Sequence, residues 1–154
     1  MDKLEFIKPD VLDIEHMQKL VYQDVENGNI LERNSNEMAT TIRSYMAVKL
    51  EDEFVGFVAV HIHTVELAEV RSLVVKKEFR GKNIAKLLIE KAILEAKSLN
   101  LKKLLVLTYK KELFEHFGFE VIEKASLPDT KIWADCIKCK HFPICDEIAL
   151  TLDI

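Results

Sequence analysis

The sequence predicts a single α/β domain built on a mixed, twisted central sheet flanked by helices. Three observations carry that prediction. Short apolar runs rich in β-branched residues alternate with longer stretches of helical period. The polar turn Glu51-Asp52-Glu53 separates two such runs and marks a hairpin in mid-chain. An apolar run ending at Val75 passes through one short charged loop into the strongest helical pattern of the chain. A hairpin together with strand–helix alternation requires a sheet with both parallel and antiparallel neighbours.

The elements follow in order. Leu4 to Ile7 is a first strand, stopped near Pro9. Val11 to Glu26 is a helix, with Ile14, Met17, Leu20, Val21 and Val25 on one face, and Asn27-Gly28-Asn29 ends it. Ile30 to Asn34 is a linker, after which Ser35 or Asn36 caps a short second helix reaching about Arg43. Tyr45 to Leu50 and Phe54 to His61 are the hairpin strands, and Ala68 to Val75 is another strand. Ile84 to Leu99 is a helix with the apolar stripe Ile84, Leu87, Leu88, Ala92, Ile93 and Ala96. Leu104 to Thr108 is a strand and Lys111 to Phe117 a short helix, broken at Gly118-Phe119 into a strand through Ile122. Ile148 to Ile154 is the last strand.

A length of 154 residues fits one domain over 1–154. A net charge of −4 argues against general nucleic-acid binding. No stretch approaches the roughly 20 apolar residues that span a bilayer, and the opening Met1-Asp2-Lys3-Leu4-Glu5 lacks the apolar run of a signal peptide. Three cysteines, an odd number, suit a reducing compartment, so a cytoplasmic location is expected. A homo-oligomer is compatible with the sequence but not indicated by it.

The loop Lys76-Lys77-Glu78-Phe79-Arg80-Gly81-Lys82-Asn83 joins a strand to a helix N-terminus. The first helical turn leaves backbone N–H groups unpaired, and the helix dipole adds partial positive charge there. Arg80, Lys82 and Lys86 add full charges around that point. Strand, basic turn and helix start together make a phosphate site; the plainer reading is a solvated strand–helix connection. Glu69 stands inside an otherwise apolar strand, where a lone carboxylate is costly. Such surroundings tune a carboxylate for base duty, whereas the plainer reading pairs it with Arg71 or a lysine.

Arg80-Gly81-Lys82-Asn83-Ile84-Ala85 resembles the Q/R-x-x-G-x-G/A pyrophosphate loop of the GNAT superfamily of acetyl-CoA-dependent N-acetyltransferases. Asn83 stands where the middle glycine is usual, and asparagine tolerates left-handed backbone angles. The resemblance implies the GNAT layout, in which two neighbouring strands, here Ala68–Val75 and Leu104–Thr108, splay to admit the acyl-CoA arm. It implies that Leu73, Val74, Val75, Arg80, Gly81, Lys82, Asn83, Ile84 and Ala85 hold acetyl-CoA. It also implies that Glu69, 11 positions before Arg80 in an Ala68-Glu69-Val70 context, is the general base, acting through a bridging water. Where many members carry a tyrosine near the leaving thiolate, this chain has Phe114; Phe114, Phe117 and Phe119 read as core, and Tyr109 is the nearby phenol.

Gly28-Asn29-Ile30-Leu31-Glu32-Arg33-Asn34-Ser35 resembles the Gly-x-Leu-x-x-Arg-Ser segment of amino-acid acetyltransferases of the N-acetylglutamate synthase type, with Asn34 displacing the serine by one. The tail from Ser126 through Cys136, Cys139 and Cys145 to Glu147 is similar to the C-terminus of short, stand-alone bacterial members. These resemblances imply transfer of acetyl to the α-amino group of L-glutamate, the first step of arginine biosynthesis. Arg33 and Arg71 are the expected carboxylate binders, because guanidinium forks match carboxylates. Cys136, Cys139, His141 and Cys145 fall within ten residues and have zinc-ligand character, with buried free thiols as the alternative. His16, His61, His63 and His116 are scattered and read as surface or strand residues. Two other functions remain open at this point: acetylation of another amine, such as a protein N-terminus, another amino acid or a polyamine, and a degenerate zinc or interaction module.

Overall fold

A computed structural model describes residues 3–26, 33–123 and 147–154. Its strands are β1 (Leu4–Ile7), β2 (Tyr45–Leu50), β3 (Glu53–Ile62), β4 (Leu67–Val75), β5 (Lys103–Thr108), β6 (Glu120–Ile122) and β7 (Ile148–Asp153). Its helices are α1 (Ile14–Glu26), α2 (Ser35–Thr40), α3 (Ile84–Ser98) and α4 (Lys111–Glu115). The strands form one seven-stranded sheet in the order β1-β2-β3-β4-β5-β7-β6. β4 and β5 run parallel, with α3 as their crossover, and the other neighbours in this sheet are antiparallel.

Helices cover both faces. On one, Leu88, Ile89, Ala92 and Ala96 of α3 close over Val58, Val70 and Leu104. On the other, Ile14, Met17 and Met38 from α1 and α2 close over Tyr45, Ala47, Phe57 and Ala59. Burying a side chain the size of Met17 or Leu88 contributes about 1.5–3 kcal/mol. Strand alternation therefore assigns each residue to one helical layer.

Local chemistry adjusts several predicted boundaries. Val11–Asp13 winds as a 3₁₀ turn ahead of α1. Asp10 caps it, accepting from the Leu12 N–H at 2.8 Å, while the Asp13 carboxylate accepts from the Asp10 N–H at 2.9 Å. The cap of α2 is Asn34, rather than Ser35 or Asn36: its Oδ1 accepts from the Glu37 N–H at 2.8 Å. α2 stops at Thr40, and Ile42–Ser44 continues as a 3₁₀ turn. On α3, Ile89 joins the fully buried face, while Leu87 and Ile93 of the expected stripe are only partly buried. The Asn27-Gly28-Asn29 stop and the segment 126–146 lie outside the described residues, as does the side chain of Val25.

Candidate active site

The sheet opens in its middle. β4 and β5 pair at Leu67↔Lys103, Ala68↔Leu104 and Glu69↔Leu105, and the ladder ends there. Past that rung β5 stays with β7 as far as Thr108↔Ile148, while β4 stays with β3 as far as Val75↔Gly56. The expected splay is thus present. β4 also carries an irregularity that alternation does not reveal: Ser72 has φ 56°, and the β3–β4 register shifts between Phe57 and Ala59. One extra residue in β4 is a bulge, which bends a strand and increases its twist. The opening leads into a cavity of about 510 Å³, lined by β4 from Val70 to Val75, by β5 and its end from Val106 to Lys110, and by Arg80, Gly81 and Asn83 to Lys86. That is the usual size of a small-molecule site.

At the other end of the cavity, Gly81 (φ 82°) and Asn83 (φ 65°) both take left-handed conformations. Asn83 is the N-cap of α3, with no cap bond from its side chain. The first bond of the helix runs from the Leu87 N–H to the Asn83 carbonyl at 3.1 Å, and no acidic residue occupies the first turn. The amides of Ile84, Ala85 and Lys86 therefore lie ahead of the helical ladder, where the dipole favours an anion. A Cβ built on Gly81 meets nothing within 4 Å, so glycine serves here for its backbone angle and not for space. Arg80 is anchored, its Nε–H donating to the Val75 carbonyl at 3.0 Å. Lys76 is engaged by Glu53 at 2.9 Å and Glu78 at 3.5 Å, and the hydrogen bond it donates to Glu53 leads the causes that raise its pKa.

On the α1–α2 face, cross-strand register builds a polar row. Tyr45 pairs with Ala59, and Ala59 pairs with Arg71. The middle member is small, and the charge of Arg71 is felt at the Tyr45 phenol across it. Tyr45 is 3 % exposed, and burial raises its pKa, against the opposing charges of Arg33 and Arg71 and side-chain hydrogen bonds with Ser72 and Thr41. The charges of both arginines singled out in the sequence therefore act on one buried phenol. Arg33 is held from behind, its carbonyl accepting from Gln18 Nε2 at 3.2 Å, and Asn34 fixes the start of α2 beside it. Sequence reasoning missed Tyr45; the hairpin register supplies the signal, since it sets the first residue of β2 one strand away from the β4 arginine.

Glu69 is 2 % exposed and is the buried charged residue among those described. It does not line the cavity but stands two residues before Arg71, which does. Its Oε1 lies 2.9 Å from His63 Nε2, with the two side chains 3 % and 6 % exposed. His63 is thus not the scattered surface or strand residue its position suggested. The tight β3–β4 turn folds it back onto a strand residue six positions later. His61, directly opposite Glu69 in the ladder, packs its ring edge-on against His63 with centroids 4.9 Å apart.

Phe114 is buried against Phe119 at 5.4 Å between ring centroids, as expected of core, and Phe117 is partly buried beside them. Tyr109 is exposed and lines the cavity. Leu73, Val74, Val75, Arg80, Gly81, Asn83, Ile84 and Ala85 all line it too; Lys82 does not, its ammonium lying 5.6 Å from the Phe79 ring centroid. The candidate zinc set Cys136, Cys139, His141 and Cys145 lies outside the described residues.

A sheet parted between two parallel strands, with a left-handed loop and an open helix N-terminus at the mouth, defines a transferase that takes its acyl group from a CoA thioester. The chain matches the acetyltransferase (GNAT) family over residues 10–119 and belongs to it. It transfers acetyl from acetyl-CoA to an amine. An uncharacterized N-acetyltransferase of Chlorobaculum tepidum is 37 % identical over 123 residues, 80 % of this chain and 79 % of that protein. An amino-acid acetyltransferase of Pasteurella multocida is 27 % identical over 123 residues, covering 79 % of this chain but only 28 % of that protein. Among solved structures, N-acetylglutamate synthase from Neisseria gonorrhoeae, complexed with coenzyme A and N-acetyl-glutamate, superimposes with a TM-score of 0.86 at 18 % identity, covering 99 % of this chain and 35 % of that one. No helix among the described residues is long and apolar enough to cross a membrane.

Proposed function

We propose that the acceptor is L-glutamate and the product N-acetyl-L-glutamate, which would place the enzyme at the first step of arginine biosynthesis. The observation that carries this reading is Arg71 in the cavity lining, on the same face as Glu69, with the charges of Arg71 and Arg33 both acting on the buried Tyr45 phenol. An acceptor with two carboxylates needs cations in fixed positions, and guanidinium groups supply paired donors in planar geometry. The amino-acid acetyltransferase of Pasteurella multocida and the N-acetyl-glutamate in the Neisseria gonorrhoeae complex support the same class of acceptor.

In this mechanism the left-handed turn through Gly81 and Asn83 and the first amides of α3 bind the pyrophosphate, with Arg80 beside them. The edge of β4 past Glu69, unused by β5, holds the acyl arm by strand-like hydrogen bonds. Acetyl-CoA supplies an activated carbonyl, whose carbon takes the amine's lone pair while the C–S electron pair departs on sulfur. Arg33 and Arg71 orient the acceptor so that its amine faces that carbon. Glu69, through a water, takes the proton the ammonium must lose, and the second N–H proton, released as the amide forms, is taken up by the departing CoA thiolate through solvent. The site's main contributions are orientation and proton removal, since a thiolate leaves with little assistance.

The test is a panel of amino acids, polyamines and peptide N-termini in an assay of CoA thiol release. Glutamate should give the highest kcat/KM. A polyamine or peptide N-terminus in its place overturns the glutamate reading and leaves the acetyltransferase class intact.

A further inference from the structure

The geometry points to His63 as the positioning residue of the acetyl-transfer site, a role that rests on Glu69 being the base. Its place is fixed by the β3–β4 turn. The His63 N–H and the Thr64 N–H both donate to the Leu67 carbonyl, at 2.9 and 3.1 Å. Thr64 Oγ1 in turn accepts from the N–H groups of Glu66 and Leu67, at 3.2 and 3.0 Å. A turn bonded at this many points leaves the His63 backbone little freedom. The edge-on ring of His61 then restricts the imidazole itself.

The chemistry of the contact sets its direction. An ionised carboxylate has no proton to give, so at the 2.9 Å contact Nε2 carries the hydrogen and Glu69 Oε1 accepts it. This fixes the imidazole tautomer and occupies one carboxylate oxygen. It also answers the cost of a carboxylate only 2 % exposed, because a buried charge persists only when it is hydrogen-bonded. His63 does not line the cavity and acts through Glu69.

Asparagine and glutamine separate this role from simple filling of space. The amide nitrogen of glutamine falls near the position of imidazole Nε2 and can donate to Oε1. That of asparagine stops near Nδ1 and cannot reach. H63N should lower kcat about ten- to a hundredfold, because ångström-scale misplacement of a catalytic group costs up to about 10²-fold. KM for acetyl-CoA should stay within about twofold in both variants, as expected of a residue that acts only on the base. H63Q should recover kcat to within about fivefold of the parent enzyme. Calorimetric binding of acetyl-CoA certifies that each variant is folded, and H63L replaces H63N if the latter does not bind. In an E69Q background, H63N should have no further effect on kcat, since the two side chains act as one unit.

Equal kcat for H63N and the parent, equal damage in H63N and H63Q, or additive losses in the double variant each overturn the inference. A crippled E69Q beside an unimpaired H63N removes His63 alone. An unimpaired E69Q removes the base reading and this inference with it.

Discussion

Arg71 and Val74 face the same side of the sheet although three positions separate them. Their β3 partners, Ala59 and Phe57, both belong to the layer beneath α1 and α2. In a regular strand an odd offset reverses the face. Ser72, at φ 56°, takes one residue out of the alternation and restores the match. The bulge thus serves two ends: it lies on the stretch of β4 that has left β5, and it keeps Arg71 and Val74 in one layer on either side of the break.

Replacing Asn83 by glycine should leave acetyl-CoA affinity intact or improve it. The residue already sits at φ 65° without using its side chain as a cap, so glycine loses nothing there and relieves the left-handed strain. Isothermal titration calorimetry gives the answer, and a clear loss of affinity would assign the Asn83 side chain a binding role of its own.

Glu69→Gln should lower kcat by about 10²–10⁴-fold, the usual scale for a lost general base, with little change in acetyl-CoA binding. The amide matches the carboxylate in size but cannot accept the proton. Steady-state kinetics across pH checks this. Near-normal kcat throughout would make the buried carboxylate a structural partner of His63 only.

Arg33→Ala should raise KM for glutamate by about 10- to 100-fold, corresponding to a charge-assisted bond of about 1.5–3 kcal/mol. KM for acetyl-CoA should hardly move. Glutamine should be a poorer acceptor than glutamate in the parent enzyme, since an amide pairs badly with a guanidinium. Equal use of the two acceptors, or unaltered glutamate kinetics in the variant, moves the acceptor pocket away from α2.

Tyr45→Phe should change the alkaline limb of stability. Burial raises the folded-state pKa of Tyr45 above its unfolded value near 10. The stability tied to the neutral phenol is therefore complete below about pH 10 and is lost as pH climbs toward the raised folded value. The parent protein should lose Tm more steeply than the variant above that point. Near neutrality the variant should be weaker by about 1 kcal/mol for the lost hydrogen bonds. Thermal melts at neutral and alkaline pH compare the two, and parallel alkaline slopes would count against a buried phenol.

Gly56→Ala should destabilise the fold by about 1–3 kcal/mol. A Cβ there would lie 2.7 Å from the Val74 carbonyl oxygen and 3.3 Å from Leu88 Cδ1. The nearer obstacle is backbone in the strand that lines the cavity, so relief requires β4 to shift. Urea titration measures the loss, and an unchanged midpoint would mean that β4 yields freely.

Much of this architecture is legible in the sequence, because it rests on local patterns. The α3 stripe, the hairpin around Glu51-Asp52-Glu53 and the strand–loop–helix through Arg80 each lie within a window where period and turn chemistry agree. Asn83 was readable as a left-handed residue because its side chain permits few rivals at such a position. The rest depends on register. His63 reaches Glu69, and Tyr45 reaches Arg71, only once the pairing of β2, β3 and β4 is fixed, and pairing is non-local. Nothing in the composition of Arg71-Ser72-Leu73 announces a bulge, since serine has no special liking for positive φ. Asn34 looked like an intrusion before Ser35 and proves to be the cap of α2.

The order β5-β7-β6 has a bearing on biosynthesis. Residues 148–153 form an interior strand, flanked on one side by β5 and on the other by β6, which precede them in the chain. Among the described residues, β6 has no strand to join until Ala149 to Thr151 are in place. Until then β5 presents an apolar edge, Leu104 to Leu107, of the kind that recruits foreign strands. The sheet is therefore completed by insertion of β7 between two strands made before it, and a chain lacking residues 148–153 would keep that β5 edge open and prone to aggregation.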